Sequence, residues 1–142
     1  MNERYKITVI GKQTVDGEQD KIEVFTSGDM EITDGKAVIT YPEYAENNPN
    51  SHTDTTVTLE EGVLSIDRKG EMSSHLILEQ GKRHECLYQT PMGQMFIGIF
   101  TDSLSSELDE HGGEIRASYQ LDFNRSVVSY NEFYISIKEI NL

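Results

Sequence analysis

The chain has 142 residues, a formal charge of −13 and a sequence pI near 4.6. That length suits one core and predicts a single domain over residues 1–142. The acidic residues are dispersed, with Glu60–Glu61 and Asp109–Glu110 the densest pairs, and clustered Lys and Arg are what phosphate-backbone binding needs, so nucleic acid is excluded as the expected partner.

Leu, Ile, Val and Phe make up about a quarter of the chain, enough for a core because they alternate with polar residues almost throughout. Tyr5, Ile7 and Val9 alternate up to Gly11, and Ile22, Val24 and Thr26 form the next run. Asp16–Gly17 between them is a hairpin signal, and Asp34–Gly35 repeats it between Met30–Thr33 and Lys36–Tyr41. Pro42 to Asp54 reads as the longest irregular stretch, with Asn47–Ser51 as a mobile surface loop. Thr53–Leu59 is a β-branched strand, turned by Glu61–Gly62 into Val63–Lys69. Gly70 then interrupts before Met72–Leu78, which predicts a bulge or a sharp bend of the sheet. Gln80–Gly81 turns into Arg83–Gln89, and Pro91 and Gly93 precede Met95–Leu104. Ser105–His111 is the one segment where a helical turn fits. In Glu114–Phe123 the residues Ile115, Ala117, Tyr119, Leu121 and Phe123 share a face. The last strand, Val127–Ile140, points Phe133, Ile135 and Ile137 inward and Tyr130 and Tyr134 outward.

About eight to ten short strands joined by tight turns predict an all-β fold, and closing the sheet removes its edges, so a small antiparallel barrel of meander order is preferred to a sandwich. The N-terminus, MNERYKITVIGK, has neither an apolar stretch nor a small-residue cleavage site, and no window approaches the ~18 apolar residues of a membrane helix. Cys86 is the single cysteine, so no intrachain disulfide forms. These features predict a cytoplasmic protein from a reducing compartment, without a membrane partner.

Nucleotide-binding and hydrolase signatures are absent from the sequence, so no enzyme, cofactor or metal is expected. The densest reactive cluster is Arg83-His84-Glu85-Cys86-Leu87-Tyr88, which places His84, Cys86, Tyr88 and Thr90 on one strand face. A thiol two residues from an imidazole suits a nucleophile–base pair, or two metal ligands with His52, His75 or His111 supplying more. The preferred reading is a small buried hydrophobe at Cys86, with His84 near the barrel mouth. Arg68 continues the inward face of Leu64 and Ile66, and a buried guanidinium needs a partner. Glu43 as a structural latch is the first choice, and a ligand group in the lumen is the second. Tyr88, Thr90, Thr101 and Tyr119 are polar positions in otherwise apolar strands and share that lumen.

These residues also resemble a known family, the YwiB-like bacterial proteins. The resemblance runs over nearly the whole chain and is carried by Asp16-Gly17-Glu18, Thr26-x-Gly28, Tyr41-Pro42-Glu43, Thr53-Asp54-Thr55-Thr56 and Arg68-Lys69-Gly70. Tyr88-Gln89-Thr90-Pro91-Met92-Gly93 is its most specific part, with Thr101, and Gly112-Gly113 before Tyr119, completing it. The resemblance implies a calycin-like (lipocalin- or streptavidin-like) barrel of unknown function, with ligand binding suggested by fold analogy alone. The leading expectation is a cytosolic barrel binding a small or amphipathic ligand in its lumen through Arg68, Tyr88, Thr90, Thr101, Tyr119 and Glu43. The alternative is a filled barrel acting by protein–protein interaction or self-association, with a homodimer left open. An unrecognised enzyme stands third.

Overall fold

The computed structural model describes residues 4–45, 48–70, 73–90 and 93–140, and of residues 44–45, 48–52 and 89–90 the main chain alone. Its strands are β1 (Tyr5–Val15), β2 (Glu18–Thr33), β3 (Lys36–Ala45), β4 (Asn48–Glu60), β5 (Val63–Lys69), β6 (Ser74–Glu79), β7 (Arg83–Thr90), β8 (Gly93–Asp109), β9 (Gly112–Phe123) and β10 (Ser126–Glu139). Each pairs antiparallel with its neighbours in the chain. β1 also pairs with β10, Ile7 opposite Ile137 and Val9 opposite Ile135, so the meander closes into a ten-stranded barrel.

The turns are built as the Asp-Gly dipeptides predict. Asp16–Gly17, Asp34–Gly35 and Glu61–Gly62 have positive φ at both central positions, which matches the right-handed twist of the flanking strands. Asn124–Arg125 adopts the same shape without glycine, and there the Asp122 carboxylate accepts the Arg125 N–H at 3.0 Å.

Alternation sends every second side chain inward, and register stacks them in layers. Ala37, Leu59, Leu64 and Leu78 form one, and Ile39, Val57, Ile66 and Leu76 the next. Ile7, Ile39, Val57, Leu64, Ile66, Leu78, Ile99, Ile115, Ile135 and Ile137 are all 1% exposed or less. Surfaces that a water-sized probe cannot touch leave no open lumen, so the middle of the barrel is filled by side chains. Each such burial stabilises by roughly 1.5–3 kcal/mol.

The wall is irregular in two places. β2 pairs with β3 only over Asp29–Thr33, and at Gly28 the Thr40 carbonyl and the Ile7 side chain occupy the space that a Cβ would need. Between β6 and β7 the registered pair is Ser74–Tyr88. Side chains knit the rest: Ile77 N–H donates to Cys86 Sγ (3.4 Å), and His84 Nε2 lies 3.0 Å from Glu79 Oε1. On the outer wall the Arg83 guanidinium crosses above Gly98 of β8 to reach Asp122 of β9, with contacts of 2.7 and 2.9 Å. A side chain at position 98 would occupy the space of both groups.

Three sequence expectations are corrected. The described residues between Pro42 and Asp54 are strand, not loop: β3 continues to Ala45 and β4 starts at Asn48, with Tyr44 opposite His52, while Glu46 and Asn47 of the expected loop lie outside the described residues. Proline is compatible there because β2 has already stopped pairing with β3, leaving that side of the strand without a ladder. Ser105–Asp109 is strand, held by Ser105–Arg116 and Glu107–Glu114 pairing in β8–β9. Leu104 and Leu108, whose spacing of four suits a helix, also share a strand face, and both pack against the core. Gly70 bends no strand. It follows β5 in a chain reversal that pairs Arg68 with Ser74, and the crowded glycine corner lies at Gly28 instead.

Candidate functional site

One layer above Ile39, Val57, Ile66 and Leu76 the chemistry changes. Moving two residues along each strand replaces aliphatics by Tyr41 on β3, Thr55 on β4, Arg68 on β5, Ser74 on β6 and Tyr88 on β7, each opposite the next in register. Strand pairing alone therefore assembles a polar arc at one end of the barrel, on a dry floor.

Arg68 Nε lies 3.8 Å from Glu43 Oε1, both side chains about a quarter exposed (27% and 24%). That is an ion pair without a hydrogen bond, and Arg68 Nε is buried with no partner among the described residues. Thr55 Oγ1 shares this condition, and Thr101 Oγ1 does so on β8; Tyr41 Oη is buried without a well-aligned hydrogen bond, the Glu43 carboxylate being its nearest acceptor group. Tyr41 is 3% exposed and Thr55 1%. Burial pushes the Tyr41 phenol far up, and the nearby Glu43 carboxylate adds to this while Arg68 opposes it. Tyr119, opposite Thr101 in register, is likewise pushed up by burial. Arg68 again acts against the shift, and Tyr88 adds to it. Arg68 therefore lies within electrostatic reach of both Tyr41 and Tyr119.

The structure thus pairs Arg68 with Glu43, aligns Arg68 with Tyr88 through Ser74, and sets Tyr119 opposite Thr101. The Thr90 side chain lies outside the described residues. Sequence reasoning left Tyr41 and Thr55 out of the site. The signal was present, because Tyr41 alternates with Glu43, and an antiparallel partner strand puts Thr55 beside Tyr41.

His84 and Cys86 form no reactive pair. His84 is engaged by Glu79, whose carboxyl is held below its usual range by His84 first and Lys82 next. The Cys86 thiol is 2% exposed and pushed up by burial, which disfavours the thiolate a nucleophile requires. Among the described residues no three His, Cys, Asp or Glu side chains converge as metal ligands, and the His52 side chain lies outside them. At the other end, a groove of about 640 Å³ runs past Ile32, Ala37, Leu59, Leu104 and Leu108. Of the buried, unpartnered polar atoms among the described residues, none belongs to that groove's lining.

A filled antiparallel barrel with a polar arc at one mouth is the class of protein that fold and site define. Residues 7–135 match a domain of unknown function, DUF1934, and the chain belongs to that family. It is 27% identical over 123 residues to the uncharacterized β-barrel protein YwiB of Bacillus subtilis (strain 168), covering 85% of this chain and 84% of that protein. The crystal structure of the B. subtilis ywiB protein superimposes with a TM-score of 0.85 over 98% of this chain and 93% of the other, at 22% identity. That likeness establishes the shared fold.

Proposed function

We propose that the protein binds a small, acceptor-rich polar ligand, such as a carboxylate or a phosphoryl group, at the mouth formed by Tyr41, Glu43, Thr55, Arg68, Tyr88 and Tyr119, and does not transform it. The observation that carries this reading is the run of buried polar atoms without a well-aligned hydrogen bond: Tyr41 Oη, Thr55 Oγ1 and Arg68 Nε on three adjacent strands. Such groups destabilise a fold by roughly 1–3 kcal/mol each unless something meets them. Arg68 Nε can only donate, and the hydroxyls of Tyr41 and Thr55 can each donate, which favours a ligand rich in oxygen lone pairs. Glu43 already offsets the Arg68 charge, so neutral polar groups are accommodated as well. The filled layer beneath leaves no channel for an acyl tail, so the ligand sits in the mouth, a shallower arrangement than that of a lipocalin-type calycin. The buried thiol of Cys86 suits a reducing cytoplasm. The outer wall carries Lys6, Lys12, Arg116, Glu132 and Lys138, the reverse of the apolar exterior of a membrane barrel.

Thermal unfolding in a series from acetate to octanoate, and in inorganic phosphate, tests the reading. A ligand at 100 times its Kd adds about 2.7 kcal/mol of stability. The expected result is a rise in Tm for at least one probe, independent of chain length among the carboxylates and lost in Arg68→Met. A rise that persists in Arg68→Met, or that grows with chain length, contradicts a polar site at this mouth.

A further inference from the structure

We propose that the chain forms a two-fold dimer by joining the open edge of β2 to the same edge of a second copy. β2 pairs with β1 from Glu18 to Gly28, but with β3 only from Asp29 onward. Across the parting Thr26 Oγ1 donates to the Pro42 carbonyl at 3.3 Å. From Glu18 to Phe25 one side of the strand therefore has no registered partner among the described residues. Open edges of this length are what β-sheet proteins cover or pair.

The hairpin geometry says which main-chain groups face outward. A two-residue turn at Asp16–Gly17 makes Val15 and Glu18 a mutually hydrogen-bonded pair. Alternation then commits Asp20, Ile22 and Val24 to β1, and turns the N–H and C=O groups of Gln19, Lys21, Glu23 and Phe25 outward. Two large apolar side chains flank this edge, Ile22 at 68% and Phe25 at 72% exposure.

Charge spacing selects the occupant and the register. An antiparallel copy related by an axis through Ile22 sets Lys21 opposite Glu23 of the partner subunit, and Glu23 opposite Lys21 of the partner subunit. Both pairs use outward-facing main-chain groups, and Ile22 meets its own copy. An axis through Lys21 or through Glu23 would oppose like charges instead. Within one chain Lys21 already faces Lys12 directly across β1–β2, with Glu132 beyond it on β10. Like charges opposite each other destabilise a ladder. A carboxylate arriving on the free side of Lys21 gives this row alternating ends. Lys21 and Glu23 lie 3.0 Å apart with side chains 51% and 38% exposed, so both remain available to a partner.

The test is sedimentation and light scattering of the full chain over a concentration series. The wild type is expected to dimerise. Lys21→Glu and Glu23→Lys each place like charges in both symmetry-related pairs, and each should weaken the dimer by about tenfold or more. An equimolar mixture of the two variants, and the double exchange Lys21→Glu/Glu23→Lys, should restore it. Glu23→Pro, which removes an outward N–H but no bond to β1, should give a monomer. Circular dichroism with unchanged Tm excludes unfolding as the cause. A wild type that stays monomeric at every concentration overturns the proposal, including the case in which the edge takes an extended segment of another protein. A dimer that survives both single variants overturns it too.

Discussion

Thr55→Val removes the most completely buried member of the polar arc while keeping its shape. Thr55 is 1% exposed and its hydroxyl has no partner among the described residues. A buried hydroxyl without a hydrogen bond costs roughly 1–3 kcal/mol, and a methyl in its place needs none. Valine should therefore stabilise the ligand-free protein by about 1–2 kcal/mol. For a chain of 142 residues that corresponds to a rise in Tm of roughly 3–7 °C. Urea unfolding followed by circular dichroism measures it, with the midpoint moving and the slope m unchanged. The reciprocal variant calibrates the scale. Val57→Thr puts a hydroxyl into the neighbouring apolar layer, where Val57 is 0% exposed, and should lose roughly 1–3 kcal/mol. A loss of about 1 kcal/mol or more for Thr55→Val would refute the reasoning, because it would mean that the hydroxyl is satisfied in the folded protein.

Gly98→Ala forces a Cβ into the space shared by Arg83 and Asp122, and overpacking of this kind costs about 1–3 kcal/mol, read as a lower urea midpoint; a gain would mean the outer-wall ion pair can part freely. The Tyr5, Tyr41 and Tyr119 phenols are all held up by burial, so each should ionise above the ordinary phenol range in an ultraviolet phenolate titration, and Phe variants should remove the late steps. The sign follows: below about pH 10 the phenols are protonated folded or unfolded, and above it the unfolded chain ionises first, so stability falls as pH rises from there. Glu139 holds the His111 imidazole above its ordinary range, so its contribution is full below about pH 6.5 and is lost as pH rises through the folded value; in an NMR titration Glu139→Gln should lower the His111 midpoint.

Much of this barrel was legible because its rules are local. Period-two alternation fixed the inward phase of β10, where Ser129, Asn131, Phe133, Ile135 and Ile137 are all buried while Tyr130 is 58% exposed. Asp-Gly dipeptides marked hairpins because only certain residues accept positive φ. The failures came where tertiary pairing overrides composition. Pro42 and Asn48 have poor strand propensity, yet the β3–β4 ladder pairs Pro42 with Asp54 and Ala45 with Asn48. The polar Ser105–Asp109 run became strand because β9 offered it hydrogen-bond partners. The site was half legible, because facing along one strand can be read from sequence while opposition between strands depends on register. Arg68 was found on that basis, and Glu43 was named as a carboxylate to pair with it. Tyr41 and Thr55 needed the β3–β4–β5 alignment. Gly28 was visible only as part of a motif, and its crowding by Thr40 and Ile7 depends on where the wall parts.

Arg68 admitted two readings, a latch to Glu43 or a contact for a ligand, and the ligand reading proposed above rests on how incomplete the latch is. A latch that fully served the guanidinium would saturate its Nε, yet Glu43 stops at 3.8 Å and Nε remains without an acceptor. Stability alone gives no reason for this layer to be polar, since the layer immediately below fills the same strands with Ile39, Val57, Ile66 and Leu76 at 6% exposure or less. Converting Tyr41 to Phe and Thr55 to Val would extend that solution upward by two residues per strand. A barrel that retains hydroxyls and a guanidinium here gives up stability at one mouth, as proteins do where a site must stay free to meet something else. Thr55→Val therefore tests function as well as packing. If the arc exists for a ligand, the variant that unfolds at the higher temperature is also the one whose Tm no longer responds to carboxylate or phosphate.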